Sequence, residues 1–404
     1  MVYSLNLGAR VRYRQGVIVD GEPRPPRRVA PGAARREGAA RQAGLRSQNL
    51  ALVVAQVAAA GTISRADVAA ATGLTRATVS SLVEPLIAAR LLEWAPAPSS
   101  SGSVGRPASP VRLASATRVG LGLEIGANHL CASVVDLRGE RLAFREVRGD
   151  LAAGAPTASL ASAVELARVT LAAARAAHPG LALLGVTLAV PGIVRRGVVL
   201  DAPRLGWLDV DAAAVLREVD PDVAVTIGNE ASLAALAESH ARPASTFLYI
   251  SGGVGVGGAH VVDGVVQGGV HGFASELGHV VVDPDGPDCR CGATGCLEQY
   301  AGAQAVARLA PHEVGRALGI ALASAINVLD VAAVVVGGGL GEALPGLRPA
   351  LVAELETRVL AHPWAPVDVS AAAVRDYPGL HGAALAPVLA ALADPEPLLA
   401  AGAR

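Results

Sequence analysis

Leu50, Val53, Val54 and Val57 recur at helical spacing and predict an amphipathic helix from about Ser47. Ser64-Arg65-Ala66-Asp67 resembles a capping box with Asp in place of Glu, and opens a short helix through Val68 to about Ala71. Gly73 makes a turn and Thr75 caps a third helix. Val79, Leu82, Val83, Leu86 and Ile87 form its inward face, with Arg76, Ala77, Ser80 and Ser81 facing out. Pro85 removes one backbone bond inside that helix, so a kink or an early end is expected there, past the outward turns. Leu91–Trp94 and Pro110–Leu113 read as short strands around a Ser/Gly/Pro loop that carries Gly105-Arg106-Pro107.

Two short helices joined through a glycine turn, followed by a two-stranded wing, predict a winged helix-turn-helix. Its second helix is narrow enough for a DNA major groove, where Arg bonds guanine and small hydroxyls touch base edges or phosphates. Thr75, Arg76, Thr78 and Ser80 are the candidate contacts on the helix, and Arg106 is the candidate for the minor groove. A plain helical bundle is the alternative, since this pattern also occurs in protein cores.

From Val119 the period changes to two. Val119–Ile125, Leu130–Asp136 and Arg141–Arg148 predict a three-stranded meander, followed by a helix at about 158–177, a strand at Leu183–Val190 and another at Val223–Ile227. Asn229-Glu230 stands at the end of that last strand, before a helix over Ala231–His240. The order then repeats, with strands at Thr246–Ile250, Gly257–Val262 and Val331–Val336 and helices across about 296–330. Two such lobes in tandem predict an α/β body with a cleft between them.

Charge sharpens this division. The 404 residues carry 34 basic groups, all Arg, against 35 acids, for a formal charge of −1. Fifteen of those Arg and only six acids lie between Met1 and Leu113, so a module of net +9 precedes a body of net −10. That asymmetry favours a DNA partner for the first module. Residues 1–44, rich in Arg, Gly, Pro and Ala, read as a disordered tail, either without a role or as an arm on the DNA backbone. The longest apolar runs are interrupted, as Ala317–Gly339 is by Asn327 and Asp330, and nothing marks secretion, so a cytoplasmic chain with no membrane partner is expected.

Three of the four Cys fall within eight residues. His279, Cys289, Cys291 and Cys296 make a tetrahedral Cys3His set for a structural zinc ion, with no position left for water. Cys131, on a core strand, reads as a small apolar residue. Around the zinc loop, Glu276 and Glu298 could converge with Asn229 and Glu230 on the hydroxyls of a polyol.

These motifs resemble the ROK family (repressor, open reading frame, kinase), in its branch with an N-terminal winged helix that includes xylose-repressor-like and N-acetylglucosamine-repressor-like proteins. The resemblance covers nearly all of Ser47–Ala401. It rests on Gly122–Gly126 (GLEIG), Pro191-Gly192, Ala202–Trp207 (APRLGW), Gly228–Glu238 (GNEASLAALAE), Gly252–Gly264 (GGVGVGGAHVVDG), Ser275–His279 (SELGH), Cys289–Glu298 (CRCGATGCLE) and Gly337–Gly339. It implies an actin-like, ribonuclease-H-like two-lobe body, zinc at the four ligands above, and a sugar held by Asn229, Glu230, Glu276, His279 and Glu298. The implied partition is a tail at 1–44, a winged helix at 45–114, a first lobe at 117–235 and a second at 236–395, with the last helix returning to the first lobe.

The same resemblance speaks to catalysis. ROK kinases present an Asp-x-Gly-Gly-Thr-Lys phosphate loop; here Glu124-Ile125-Gly126-Ala127-Asn128-His129 lacks the second Gly, the Thr and the Lys. Glu230 replaces the kinases' catalytic Asp with a side chain one methylene longer, and Gly253-Val254-Gly255 lacks a hydroxyl in the second phosphate loop. The expectation is a sugar-responsive transcriptional regulator, a repressor acting as a homodimer or dimer of dimers on operator DNA, with Glu230 a vestigial base. An ATP-dependent sugar kinase fused to a DNA-binding domain is the alternative. A regulator whose effector is a protein or a phosphorylated sugar is a third possibility; Arg204, where relatives often have Asn, would suit an anionic ligand.

Overall fold

A computed structural model describes residues 31–96, 110–150, 154–243 and 245–401, with side chains between residues 44 and 399 of those spans. The chain divides into two compact units, one of residues 1–114 together with 390–404 and the other of residues 115–389.

The first unit begins with α1 (Pro31–Ala60), α2 (Arg65–Thr72) and α3 (Arg76–Ala88). Buried Leu50, Val53, Val54 and Val57 on α1 pack with Val68 of α2 and with Val79, Leu82, Val83 and Leu86 of α3. The Ser64 side chain caps α2 by accepting from the Asp67 amide, Gly73 closes it at φ 72°, and the Thr75 hydroxyl caps α3 by accepting from the Thr78 amide. β1 (Leu92–Trp94) then pairs antiparallel with β2 (Val111–Leu113), and Ile63 bridges to Val111.

Two expectations change here. Helix α1 starts at Pro31, so the segment expected to be disordered through residue 44 is helical from 31 onward. Ala, Arg, Glu and Gln dominate that stretch and have high intrinsic helix propensity, and Pro suits a first helical turn; without an apolar face the stretch gave no periodic signal. Residues 1–30 lie outside the described residues, as does Arg106 within the wing. Helix α3 also runs three residues beyond Pro85, to Ala88. The carbonyl that Pro85 cannot serve belongs to Ser81, an exposed residue, so water can satisfy it while Leu82, Val83 and Leu86 keep the turn packed.

The second unit opens with β3 (Arg118–Ile125), β4 (His129–Asp136), β5 (Arg141–Arg148), α4 (Pro156–Ala177) and β6 (Ala182–Val190). A small antiparallel sheet of β7 (Ile193–Arg195), β8 (Val198–Ala202) and β9 (Trp207–Asp211) follows, then α5 (Ala212–Leu216), β10 (Ala224–Asn229) and α6 (Glu230–Ala241). The second half holds β11 (Phe247–Gly252), β12 (Val256–Val262), β13 (Val265–Val266), α7 (Glu298–Ala301), α8 (Ala303–Val306), α9 (Pro311–Leu329), β14 (Ala333–Gly337), α10 (Gly338–Arg358) and β15 (Asp368–Ala371). Helices α11 (Pro378–Ala393) and α12 (Glu396–Ala401) close the described chain.

The two large sheets share one topology. Their orders are β10-β6-β3-β4-β5 and β13-β12-β11-β14-β15, so each is an antiparallel meander with two parallel strands added beside its first strand. Leu121, Leu123, Val186 and Leu188 join α4 in one core, while Leu248, Ile250, Val334 and Val336 join α9 and α10 in the other. Helix α6 serves both halves, with Leu233 against Ala189 and Ala383, and Ala234 and Ala235 against Phe247 and Tyr249. A boundary at residue 235 thus falls inside a helix.

Helix α11 returns to the first sheet. A Cβ at Gly122 would lie 2.6 Å from the Leu380 carbonyl and 2.9 Å from the Ala384 Cα, and one at Gly185 would lie 2.9 Å from Pro387. The helix approaches the strands at backbone contact because those positions have no side chain. Its continuation, α12, packs on α3, and Ser47 donates to Asp394 at 3.5 Å.

Candidate functional site

The loop between β13 and α7 brings four soft donors together. Donor atoms of His279, Cys289, Cys291 and Cys296 all lie within 4.8 Å of one another, with Cys289 Sγ 3.8 Å from His279 Nδ1 and Cys291 Sγ 3.6 Å from Cys296 Sγ. A tetrahedral ion with metal–sulfur bonds of about 2.3 Å separates its sulfurs by about 3.8 Å, so this set can hold such an ion. Bridges Val281 to Cys296 and Asp288 to Thr294 fold the loop, and the tight turns fall at Gly292 (φ 92°) and Gly295 (φ 67°). With Nδ1 turned to the thiols, Nε2 of His279 is the nitrogen left for another partner. Cys131 stands apart, fully buried on β4, where burial pushes its thiol up to about 12 and makes it inert.

Glu298 opens α7 just beyond the last Cys. Its Oε2 accepts from the Val256 amide at 3.1 Å and from Arg204 Nη2 at 3.4 Å. Glu276 lies close enough to His279 and Glu298 to feel both. Desolvation lifts its carboxyl above the ordinary value, His279 draws it down, and the Glu298 charge lifts it again.

Asn229 ends β10 and caps α6. Its Oδ1 accepts from the Ala231 and Ser232 amides, and its Nδ2 donates to the Gly192 carbonyl at 3.0 Å. Most of this side chain is therefore committed to positioning the next residue, Glu230, with one amide hydrogen left to offer. Glu230 is reached by solvent, yet the protein around its carboxyl desolvates it and pushes it up to about 7, helped by the nearby Glu124 charge and opposed by Arg204 and His129.

The loop after β3 is closed on itself. His129 Nε2 lies 2.9 Å from Glu124 Oε1 and its Nδ1 3.0 Å from Asn128 Oδ1. Both partners are oxygens, which suits a doubly protonated ring, and the Glu124 bond raises the imidazole above its ordinary value. The ring lies against Gly126 so closely that any side chain there would collide with it. Glu124 Oε2 is buried without a hydrogen-bond partner among the described residues, 2.8 Å from the place a Cβ of Gly379 would occupy.

Glu276 thus lies within electrostatic reach of His279 and Glu298, while Arg204 contacts Glu298 and its charge also reaches Glu230, which follows the capped Asn229. Sequence reasoning saw Glu124 and His129 only as losses from a motif; their pairing across the β3–β4 turn leaves no periodic trace. The DNA candidates belong to the other unit. Arg76 is exposed there, whereas the Thr75 and Thr78 hydroxyls lie 2.9 Å apart, with Thr75 spent on its cap, and Ser80 is half-buried.

Two sheets of identical order, together with a Cys3His loop after the second meander, define an actin-like two-lobe α/β protein. The ROK family model matches residues 120–313 and 303–388, and the chain belongs to the ROK family. The xylose repressor of Bacillus spizizenii is 26% identical over 343 residues, spanning 77% of this chain and 87% of that protein. Among solved structures, a ROK family transcriptional regulator described as a homolog of the E. coli MLC protein aligns with a TM-score of 0.73 at 23% identity, covering 89% of this chain and 98% of that one. The ROK hexokinase of Thermus thermophilus aligns with a TM-score of 0.57 at 28% identity, over 67% of this chain and 98% of that one.

Proposed function

We propose that this protein is a sugar-responsive DNA-binding regulator, a repressor of genes for carbohydrate use. The observation that carries the reading is the closed Glu124–His129 loop: where the family's kinases hold phosphate, this chain presents an internal ion pair, while the acids facing a sugar remain. Similarity to a xylose repressor over most of both chains supports it, as does a kinase alignment that spans only two-thirds of this chain. ATP turnover is lost on this reading, and Glu230 serves as a hydroxyl acceptor in place of a catalytic base.

In this reading residues 45–114 read DNA, with Arg76 and Arg106 as principal contacts and Thr75, Thr78 and Ser80 beside them. Residues 117–395 form the two lobes, which share α6 across the boundary near residue 235, and Asn229, Glu230, Glu276, His279 and Glu298 bind the effector. Zinc is held by His279, Cys289, Cys291 and Cys296, where it would fix the loop that carries Glu276 and Glu298. The protein acts in the cytoplasm as a homodimer or dimer of dimers, so that two winged helices meet two half-sites. Among the described residues no helix is long and apolar enough to cross a membrane.

The test is a gel shift on the promoter beside its own gene, with a panel of monosaccharides. Binding that one of them weakens is expected. Arg76→Ala should lower operator affinity while leaving sugar binding intact, and DNA binding indifferent to every sugar would sink the effector reading. Metal analysis should find one zinc per chain, lost together with thermal stability in Cys291→Ser; full zinc content in that variant would refute the ligand set.

A further inference from the structure

Arg204 projects from the β8–β9 turn of the first lobe. The flanking Leu205 and Trp207 are each 1% exposed, and the Leu205 amide donates to the Ala202 carbonyl at 2.9 Å, so the turn is anchored on both sides of the arginine. The guanidinium reaches the second lobe. It contacts Glu298 Oε2, the same oxygen that accepts from the Val256 amide, and any side chain at Gly255 would collide with both partners. Only a fifth of either side chain is exposed, so the pair is shielded from solvent more than a surface ion pair is.

The surrounding charge argues against an anion reader. Glu230, Glu276 and Glu298 face this region, and Glu124 stands behind Glu230, already paired with His129. A phosphate would have to displace Glu298 from the arginine while meeting the remaining carboxylates. An uncharged polyol meets no such repulsion, and its hydroxyls can donate to carboxylates in charge-assisted bonds.

We propose that Arg204 is a positioning residue of the effector site, bridging the lobes to hold Glu298 and facing Glu230, so that both carboxylates are presented to the hydroxyls of an uncharged sugar. This rests on the sugar-regulator reading. Arg204 also supplies a positive charge that helps keep Glu230 ionised against desolvation and Glu124, with His129 the other cation in range. Removing it lets Glu230 take up its proton at higher pH.

Calorimetry on the full-length, zinc-loaded protein tests this with glucose, xylose, N-acetylglucosamine and their phosphate esters, across pH 6 to 9. The unchanged chain should bind at least one free sugar, and its phosphate ester more weakly. Arg204→Asn should lose about tenfold in affinity for that sugar and shift the acid limb of its binding profile to higher pH, while Arg204→Lys restores much of both. Zinc content and Tm of each variant show that it is folded. Equal sugar binding and an unmoved pH profile in Arg204→Asn overturn the proposal alone. Preferential binding of a phosphate ester that Arg204→Asn abolishes also overturns it, making Arg204 an anion reader. Failure of the unchanged chain to bind any sugar sinks the underlying reading as well.

Discussion

Glu230 combines three local effects that act on one carboxyl: the Asn229 cap fixes its helix start, the protein around it desolvates it, and Glu124 repels its charge. Its folded-state value of about 7 lies above the ordinary 4.5, so the folded chain holds this proton more tightly than the unfolded one. Stability is therefore unaffected by this group below about pH 4.5 and falls as pH rises through 7. Without sugar, Glu230→Gln should melt at a higher temperature than the unchanged protein at pH 8, with the gap closing toward pH 4.5; a gap independent of pH would contradict the assignment. The residue's place beside Asn229 was legible from the motif. Its shifted acidity was not, because Glu124 and Arg204 are over twenty residues away in sequence and only the fold sets them near it.

Among the elements, α11 depends most on contacts far away in sequence. Its apolar, helix-forming composition marks a helix, but its seat on β3 and β6 depends on Gly120, Gly122 and Gly185, which in a linear reading are simply small residues inside strands. Gly122→Val would drive a branched side chain into the α11 backbone. A loss of about 1–3 kcal/mol is expected from such overpacking, measured by urea unfolding, and an unchanged midpoint would show that the helix is free to move. The opposite case is α3, whose cap at Thr75 and inward face at Val79, Leu82, Val83 and Leu86 were fully visible as spacing. The three-stranded sheet of β7, β8 and β9 escaped because its strands have only three to five residues, too few to establish a period, and lack the helix-turn-helix context that marked the equally short β1 and β2.

On the scale of the whole molecule, α11 starts beside Glu124 and Glu230 and continues through Asp394 into α12, which packs on α3. This is a covalent route from the acidic residues to the unit that holds α1, α2 and α3. Inserting two glycines after Asp394 should leave sugar affinity and sugar-free operator affinity near their original values, while operator release by sugar is reduced; release of undiminished size would exclude this route. Local pattern sufficed for what depends on neighbours in sequence: the helix caps, most strands of both lobes, the clustered Cys and the charge division at the wing. Tertiary structure decided what depends on long-range approach. It closed the Glu124–His129 loop, set Arg204 on Glu298 across 94 residues, spent most of Asn229 on a cap, and seated α11 on glycine-lined strands. Hydrogen bonding and desolvation act through distance in space, and spacing along the chain carries no record of it once the partners lie in different elements.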